Sequence, residues 1–351
     1  MSSPWPLFSD DLELARGWIE QVWDRESSPL QSGNQALSLG MQDIVSGCMQ
    51  ALVDQPYADE CRRQWGFRLA RINREVNPYS RLIPESLKRE TMLALQNSVL
   101  HGHHFRLQLH GGIGDQLEIL SLMLPWAQKY SVDLRLLVCS GRLSIIQDIV
   151  PPDVSVVSAE SDQIPPVSQG MAVRQAVLDY SPGLSFQSFL ADACKGWLKN
   201  DGLLCCWKAE GRGNAFSAHS RSVPFALVQE FYRSLLDQDP QVNIIDITDW
   251  KPWESAFLDA MNVNRVDPRR GRLFDLARIA HGRRVITIDT ALAHLCAACG
   301  IAADVLLPRF HDERWFELHR PFNSYGRWLK LWRSPDFGSW NSVMQALCAS
   351  F

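Results

Sequence analysis

Beyond residue 104, short apolar segments alternate with helical patterns, and this alternation constrains the fold more than any other feature. The segment 105–109 is a predicted strand, and after a glycine turn a helical pattern follows over 116–130. Further strands are predicted at 134–139, 154–157, 202–207, 242–247, 284–288 and 303–307, with helices at 143–149, 223–237, 275–280, 290–299 and 339–349. Strands that alternate with helices indicate an α/β fold in which helices cover the faces of parallel sheets.

The chain divides into three parts. With 351 residues it is too long for one ordinary core. Residues 1–103 show helical apolar spacing over 10–25, 35–54, 57–77 and 84–100 and no convincing strand, so a helical N-terminal module is expected there. We place the first α/β half at 104–220 and the second at 221–351. The loop 208–220 at their junction is rich in Gly, Ser, Asn and charged residues, and it is predicted to be a hinge or a substrate loop.

Composition excludes several classes of partner. Apolar residues make up 46% and charged residues 21% of the chain, as in an ordinary globular protein. The net charge of -4 gives no sign of the basic face that nucleic acid requires, so no nucleic-acid partner is expected. No apolar run approaches the roughly 20 residues of a membrane span. No basic-then-apolar signal peptide opens the sequence, and a cytoplasmic location is therefore expected.

The nine cysteines are odd in number and scattered through apolar segments, which indicates reduced, packed thiols. Cys296 and Cys299 form a CxxC pair on a predicted helix. A zinc site would need two more ligands at a comparable spacing, and none is nearby in the sequence. Helix packing is the preferred interpretation, and neither a metal nor a cofactor is expected.

The first motif, Gly111-Gly112-Ile113-Gly114-Asp115-Gln116, lies where a predicted strand ends and a helix begins. Ligands of open α/β sheets bind at the carboxyl ends of strands, and glycines there let a ligand approach the backbone closely. Leu117 replaces the third glycine of a GxGxxG fingerprint, so a dinucleotide site and a nicotinamide-dependent oxidoreductase are disfavoured. Asp115 has two interpretations: a residue that caps the helix, or a general base at the mouth of the sheet.

The second motif is Asp289-Thr290 with His294, which follows the predicted strand 284–288. Helix N-termini attract phosphates because their free N–H groups and the helix dipole both favour an anion. The Thr290 hydroxyl and His294, one turn later, can add hydrogen bonds. The alternative is a buried capping aspartate with a core histidine, and the motif alone supports the two interpretations equally.

The third motif is the apolar strand that ends in Trp207-Lys208, with the loop after it. Lys208, Arg212 and Arg221 are cations beside a strand end, where they can neutralise a leaving diphosphate. The alternative is a solvated loop. No Asp-x-Asp in a strand–loop setting is present to hold Mg²⁺, so a metal-independent mechanism is preferred.

Taken in order, these motifs resemble those of glycosyltransferase family nine, which includes the lipopolysaccharide heptosyltransferases. The resemblance rests on strand–Gly-x-Gly-Asp–helix, then Trp-Lys, Arg-Ser-Val-Pro and Ile-Asp-Thr-Ala-Leu-Ala-His-Leu-Cys-Ala-Ala-Cys-Gly. The aromatic tail, 312–340, is similar to that of related domains linked to tetratricopeptide repeats in bacterial proteins. The resemblance covers residues 104 to 345.

The resemblance implies a GT-B fold of two facing Rossmann-like domains and an inverting, metal-independent glycosyl transfer. The donor would be a nucleoside-diphosphate sugar, and the acceptor a saccharide, a lipid-linked saccharide or a protein. The implied roles are a catalytic base at Asp115, a catalytic cation near the donor phosphates at Lys208, and a turn around the base at Gly112 and Gly114. Asp289, Thr290 and His294 would form the donor-binding element, with Arg221 beside the donor diphosphate.

The sequence departs from the family pattern in three places. Ala291-Leu292 follows Asp-Thr, Ser324-Tyr325-Gly326 replaces a Trp-Tyr-Pro run, and 250–272 lacks a glycine-rich strand–turn for the nucleotide base. These departures motivate a second hypothesis, a non-catalytic binding or assembly protein that retains the glycosyltransferase fold.

Overall fold

The computed structural model describes residues 33, 36, 42–51, 85–109, 111–159, 167–181, 184–209, 221–267, 272–308, 315, 328–335 and 339–351. The helices predicted at 10–25 and 57–77, and residues 210–220 of the predicted hinge or substrate loop, lie outside these residues. Two helices precede the first strand: α1 (Gln42–Ala51) and α2 (Glu85–His101). α1 falls within the predicted helix 35–54, and α2 matches the predicted helix 84–100 to within one residue at each end.

The first sheet has three parallel strands in the order β1-β2-β3. Its elements follow one another along the chain: β1 (Phe105–Gln108), α3 (Ile113–Tyr130), β2 (Leu134–Val138), α4 (Leu143–Ile149), β3 (Ser155–Ser158) and α5 (Val167–Tyr180). The strand–helix alternation predicted for this part of the chain is confirmed, and α5 is a helix that the sequence analysis missed.

The second sheet has six strands, all paired in parallel, in the order β6-β5-β4-β7-β8-β9. Its elements are β4 (Leu203–Cys206), α6 (Phe225–Gln238), β5 (Ile244–Asp246), α7 (Pro252–Ala260), β6 (Asn264–Arg265), α8 (Leu273–Ala280), β7 (Arg284–Ile288), α9 (Ala291–Cys299), β8 (Ala303–Leu307), β9 (Leu329–Arg333) and α10 (Asn341–Cys348). The expectation of an α/β fold with parallel sheets is confirmed.

Strand β4 does not belong to the half in which the sequence analysis placed it. Although it lies within 104–220, it pairs with β5 on one side and with β7 on the other. All four of its residues are buried, as expected for a central strand that is covered on both faces. Sequence order alone does not show which of two sheets such an apolar strand joins.

Two apolar cores flank the second sheet, because successive side chains of a strand point to opposite faces. Val285 faces a core that is continuous with the first sheet, and Ile286 faces a core formed with α6, α7 and α10. Helices α3 and α9 pack against each other and thereby join the two sheets. Within the described part of the chain, no helix has both the length and the apolar character needed to span a membrane.

Candidate functional site

The turn after β1 places Asp115 in the first turn of α3. Gly111 has a φ of 68°, in the left-handed region that favours glycine, and a Cβ there would overlap the Asp115 side chain. The Asp115 carboxylate accepts a hydrogen bond from the N–H of Gly112, the residue before the helix, at 2.5 Å. Asp115 therefore caps this helix, and its side chain remains half-buried at the carboxyl end of β1.

Arg142 contacts this turn from the neighbouring strand and was missed by the sequence analysis. It lies in the 3-10 turn Ser140–Arg142, directly after β2, and its Nη1 donates to the carbonyl of Gly111. The available signal was an arginine just past the end of the strand that pairs with β1. The contact adds a cation to the edge of the sheet that carries Asp115.

Asp289 is a buried carboxylate between two polar side chains. It directly follows β7 and is only 5% exposed. Arg221 Nη1 lies 3.0 Å from the Asp289 carbonyl oxygen and 3.4 Å from Oδ2, and His294 Nε2 lies 3.9 Å from Oδ1. A buried charge of this kind requires compensation, which the guanidinium supplies. The structure thus brings together Arg221, Asp289 and His294, which the sequence analysis assigned to donor binding.

Thr290 is the residue that precedes the first turn of α9. Its backbone is extended, with φ of −139° and ψ of 173°, and its hydroxyl does not cap the helix. Instead, its Oγ1 lies 3.0 Å from Thr287 Oγ1 on the preceding strand. The helix N-terminus at Thr290 consequently has the geometry that favours an anion.

His294 lies in the interface between helices α3 and α9. It is 2% exposed, and a Cβ built on Gly114 would lie 2.6 Å from its Cδ2 atom. The imidazole also packs against the indole of Trp315, with ring centroids 5.2 Å apart. The close approach of Gly114 to His294 joins the first motif to the second. It also agrees with the alternative interpretation of His294 as a core residue.

Lys208 is held by groups at the start of α7 and in the loop before it. Its Nζ lies 2.7 Å from Oε2 of Glu254 and 4.1 Å from the ring centroid of Trp250. The same Glu254 oxygen accepts the N–H of Lys251 at 2.7 Å at the start of α7. The ammonium is therefore paired with a buried carboxylate, a contact that the sequence analysis did not foresee. Arg212 lies outside the described residues.

Asp246 forms the centre of a buried polar network. Its Oδ2 accepts from the Tyr232 hydroxyl at 2.8 Å and from the Trp250 indole at 3.0 Å, and its Oδ1 accepts from the Thr248 N–H at 2.7 Å. Tyr232 in turn accepts from the indole of Trp207 at 2.7 Å. This network ties the ends of β4 and β5 to the start of α7, next to Lys208.

Burial raises the pKa of the Asp246 carboxyl, and the hydrogen bonds from Thr248, Trp250 and Tyr232 oppose that rise. Burial also raises the pKa of Tyr232, and the charge of Asp246 adds to this effect. The sequence analysis missed the network because Tyr232 and Trp207 join the segment 246–250 from α6 and from the end of β4. The one local signal was a carboxylate at the end of the apolar strand β5.

The candidate residues lie along the carboxyl edges of the two sheets. Lys208 and Asp289 follow β4 and β7, which are adjacent parallel strands, so both leave the same edge. Asp115 follows β1 at the corresponding edge of the first sheet, and the packing of Gly114 on His294 connects the two edges. Within the described ranges, no group of three or more His, Cys, Asp or Glu residues is arranged to hold a metal ion.

Fold and site together define an α/β protein with a helix N-terminus and paired charges at the carboxyl edges of two parallel sheets. No protein-family model matches this chain, and no curated protein is similar to it at a significant level. Two solved structures are similar. E. coli heptosyltransferase WaaC with ADP-2-deoxy-2-fluoro heptose is 14% identical, with a TM-score of 0.44, over 70% of this chain and 99% of that one. E. coli heptosyltransferase WaaC with ADP is 16% identical, with a TM-score of 0.42, over 69% and 96%. With TM-scores this low, the similarity assigns neither a family nor an activity to this chain.

Proposed function

We propose that this protein is a GT-B glycosyltransferase that moves a sugar from a nucleoside-diphosphate sugar to an acceptor hydroxyl, with inversion and without a metal ion. The observation that carries the proposal is the packing of Gly114 against His294. Through it, the turn with Asp115 on one sheet is joined to the helix start at Thr290 on the other.

The proposed chemistry is a single displacement. Asp115 takes the proton from the acceptor hydroxyl, the acceptor oxygen forms a bond to the anomeric carbon, and the bond from that carbon to the diphosphate oxygen breaks. The nucleoside diphosphate leaves with the bonding electron pair. The N-terminus of α9 then stabilises the negative charge that develops on the leaving group.

Charge balance at the helix start supports an anionic ligand. Asp289 alone would repel a diphosphate, but the Arg221 guanidinium lies 3.4 Å from its carboxylate and offsets that charge. Lys208 is the second cation of the proposal. Because its Nζ is bound to Glu254, a donor phosphate has to share or replace that carboxylate partner.

A donor-hydrolysis screen tests the proposal on the purified full-length chain. ADP-, GDP- and UDP-sugars are incubated with and without a chelator, and release of the nucleoside diphosphate is followed by chromatography. We expect release from one nucleotide class, with the same rate in the chelator. The absence of both binding and release across all three classes would contradict the proposal, and dependence of release on a divalent ion would overturn its metal independence.

A second candidate is a non-catalytic binding or assembly protein that keeps the fold. It is favoured by the fact that the charged candidates have partners within the chain: Lys208 pairs with Glu254, Arg221 pairs with Asp289, and Asp115 caps α3. Titration calorimetry with the same sugar nucleotides separates the two candidates. Binding without turnover, or no binding, supports the second. The cytoplasmic location and the nature of the acceptor remain predictions.

A further inference from the structure

Two thiols that are distant in the sequence meet at the C-terminal end of α9. Cys299 is the last residue of that helix, and Cys194 lies in the turn region that precedes β4. Each thiol is the largest influence on the pKa of the other: Cys299 lowers the pKa of Cys194, and Cys194 raises that of Cys299. Each residue is 4% exposed. The sequence analysis singled out Cys299 as part of a CxxC pair, yet the thiol that most affects its pKa is Cys194.

The backbone around Cys194 is fixed on the end of α9 by independent contacts. The Ser188 hydroxyl donates to the carbonyl of Ala297 at 2.7 Å, and the N–H of Leu190 donates to the carbonyl of Ala298 at 2.8 Å. A Cβ built on Gly300 would lie 3.5 Å from the Cβ of Ala191, in ordinary van der Waals contact. These contacts fix the turn that carries Cys194 on the end of α9, where Cys299 lies.

We propose that Cys194 and Cys299 form a reversible oxidation site, at which a hydroperoxide converts the thiol pair into a disulfide. In the first step, the Cys194 sulfur attacks one peroxide oxygen, the O–O bond breaks, and Cys194 becomes a sulfenic acid while an alcohol or water leaves. In the second step, the Cys299 sulfur attacks the Cys194 sulfur, the S–O bond breaks, and the departing hydroxide takes the Cys299 proton and leaves as water. Each sulfur loses one electron, and the peroxide takes up both. This site goes beyond the proposed transferase activity and does not depend on it.

The electrostatics of the pair support these two roles. The hydrogen bond from Cys299 lowers the pKa of the Cys194 thiol, which favours the thiolate that attacks the peroxide. The same bond and burial raise the pKa of Cys299, so it keeps its proton until the second step. Cys296 is fully buried, and burial raises its pKa to about 12, so it remains a thiol at neutral pH. The small exposure of both partners requires a small oxidant, and hydrogen peroxide is close to water in size.

The test uses the reduced full-length protein, which is exposed to graded hydrogen peroxide, blocked with an alkylating reagent and mapped by mass spectrometry without reduction. We expect one dominant linked peptide that joins Cys194 to Cys299, which disappears when dithiothreitol is added. A bond between Cys296 and Cys299 would overturn the proposal. So would sulfinic acid alone at Cys194, or no linkage at peroxide levels that oxidise the more exposed Cys139.

Matched variants make the result specific. The Cys296→Ser variant should form the same linkage as the wild type, because Cys296 is outside the pair. The Cys194→Ser and Cys299→Ser variants should lose it. Thermal unfolding provides a second readout: the oxidised wild type and the oxidised Cys296→Ser variant should have a higher Tm than their reduced forms. If the disulfide is mapped but the Tm is unchanged or lowered, the bond strains the fold. That result would contradict the proposal that the site is built to form it.

Discussion

The imidazole of His294 lies so close to Gly114 that a Cβ added to the glycine would fall 2.6 Å from His294 Cδ2. Real Cβ atoms do not approach other heavy atoms this closely, so α3 and α9 can pack in this way only with glycine at position 114. The contact is the most direct link between the turn that carries Asp115 and the helix start at Thr290.

Gly114→Ala should therefore weaken the junction between the two sheets. The added methyl group has to push the buried imidazole or the helices apart, and overpacking of this kind costs about 1–3 kcal/mol. Urea unfolding followed by tryptophan fluorescence measures the loss. Gly141→Ala is the matched control, because nothing lies within 4 Å of a Cβ at that position. Equal stability of the two variants would contradict the packing described for His294.

Substitutions of Lys208 and of its partner Glu254 should have opposite effects on donor affinity. Lys208→Met removes the cation and leaves a buried carboxylate without its ammonium partner, so we expect weaker binding of the sugar nucleotide and lower stability. Glu254→Gln keeps an oxygen that can accept the N–H of Lys251 and leaves Lys208 available to a phosphate. Calorimetry should show donor affinity that is kept or improved in Glu254→Gln. If both variants bind the donor as the wild type does, Lys208 has a structural role only.

Asp246→Asn should destabilise the half of the protein whose core is formed with α6, α7 and α10. An amide cannot accept all the hydrogen bonds that Tyr232, Trp250 and Thr248 donate to the carboxylate, and a buried donor without a partner costs about 1–3 kcal/mol. Asp239→Asn is a suitable control, because Asp239 accepts a hydrogen bond in an exposed turn. Denaturant unfolding of the two variants at neutral pH measures the difference.

The pH dependence of this loss has a defined sign. Burial raises the pKa of Asp246 in the folded state, so the folded protein holds this proton more tightly than the unfolded chain does. The resulting stability is fully present below the unfolded pKa of about 3.9, and it is lost as the pH rises through the folded pKa. The gap in free energy of unfolding between the wild type and Asp246→Asn should therefore be larger in acid than at neutral pH. A gap that grows towards neutral pH would mean that the folded-state pKa is lowered instead.

The sequence predicts the strands best where they are buried on both faces. β7 and β8 begin and end at the predicted residues, because polar residues or turns flank each of these short apolar runs. The helix α5 was missed in part because a charged residue occupies its buried face. Arg174 lies there 3.6 Å from Glu118 of α3, an ion pair that only the packed helices reveal. The sheet to which β4 belongs could not be predicted either, since an apolar strand fits the centre of any covered parallel sheet.

For the site, the sequence identified residues that follow strands, and these do lie at the carboxyl edges of the sheets. It could not identify their partners. Arg142 and Glu254 reach the site from other elements, and no local pattern links them to Gly111 or Lys208. Pairing over such distances is set by the packing of the sheets. The roles of Asp115 and Lys208 in catalysis stay predictions.

The most direct test of the proposed function compares Asp115→Asn with Asp275→Asn. Asp275 occupies the same place in α8 as Asp115 does in α3, and its carboxylate accepts the N–H of Arg272 at 2.9 Å. Both substitutions alter a helix cap, so both should change the Tm by a similar small amount. Sugar transfer is then measured with the donor that the hydrolysis screen identifies. The proposal predicts that Asp115→Asn loses transfer by about 100-fold or more while Asp275→Asn keeps it, since a general base contributes about 10²–10⁴ in rate. Wild-type turnover in Asp115→Asn would contradict the assignment of the base.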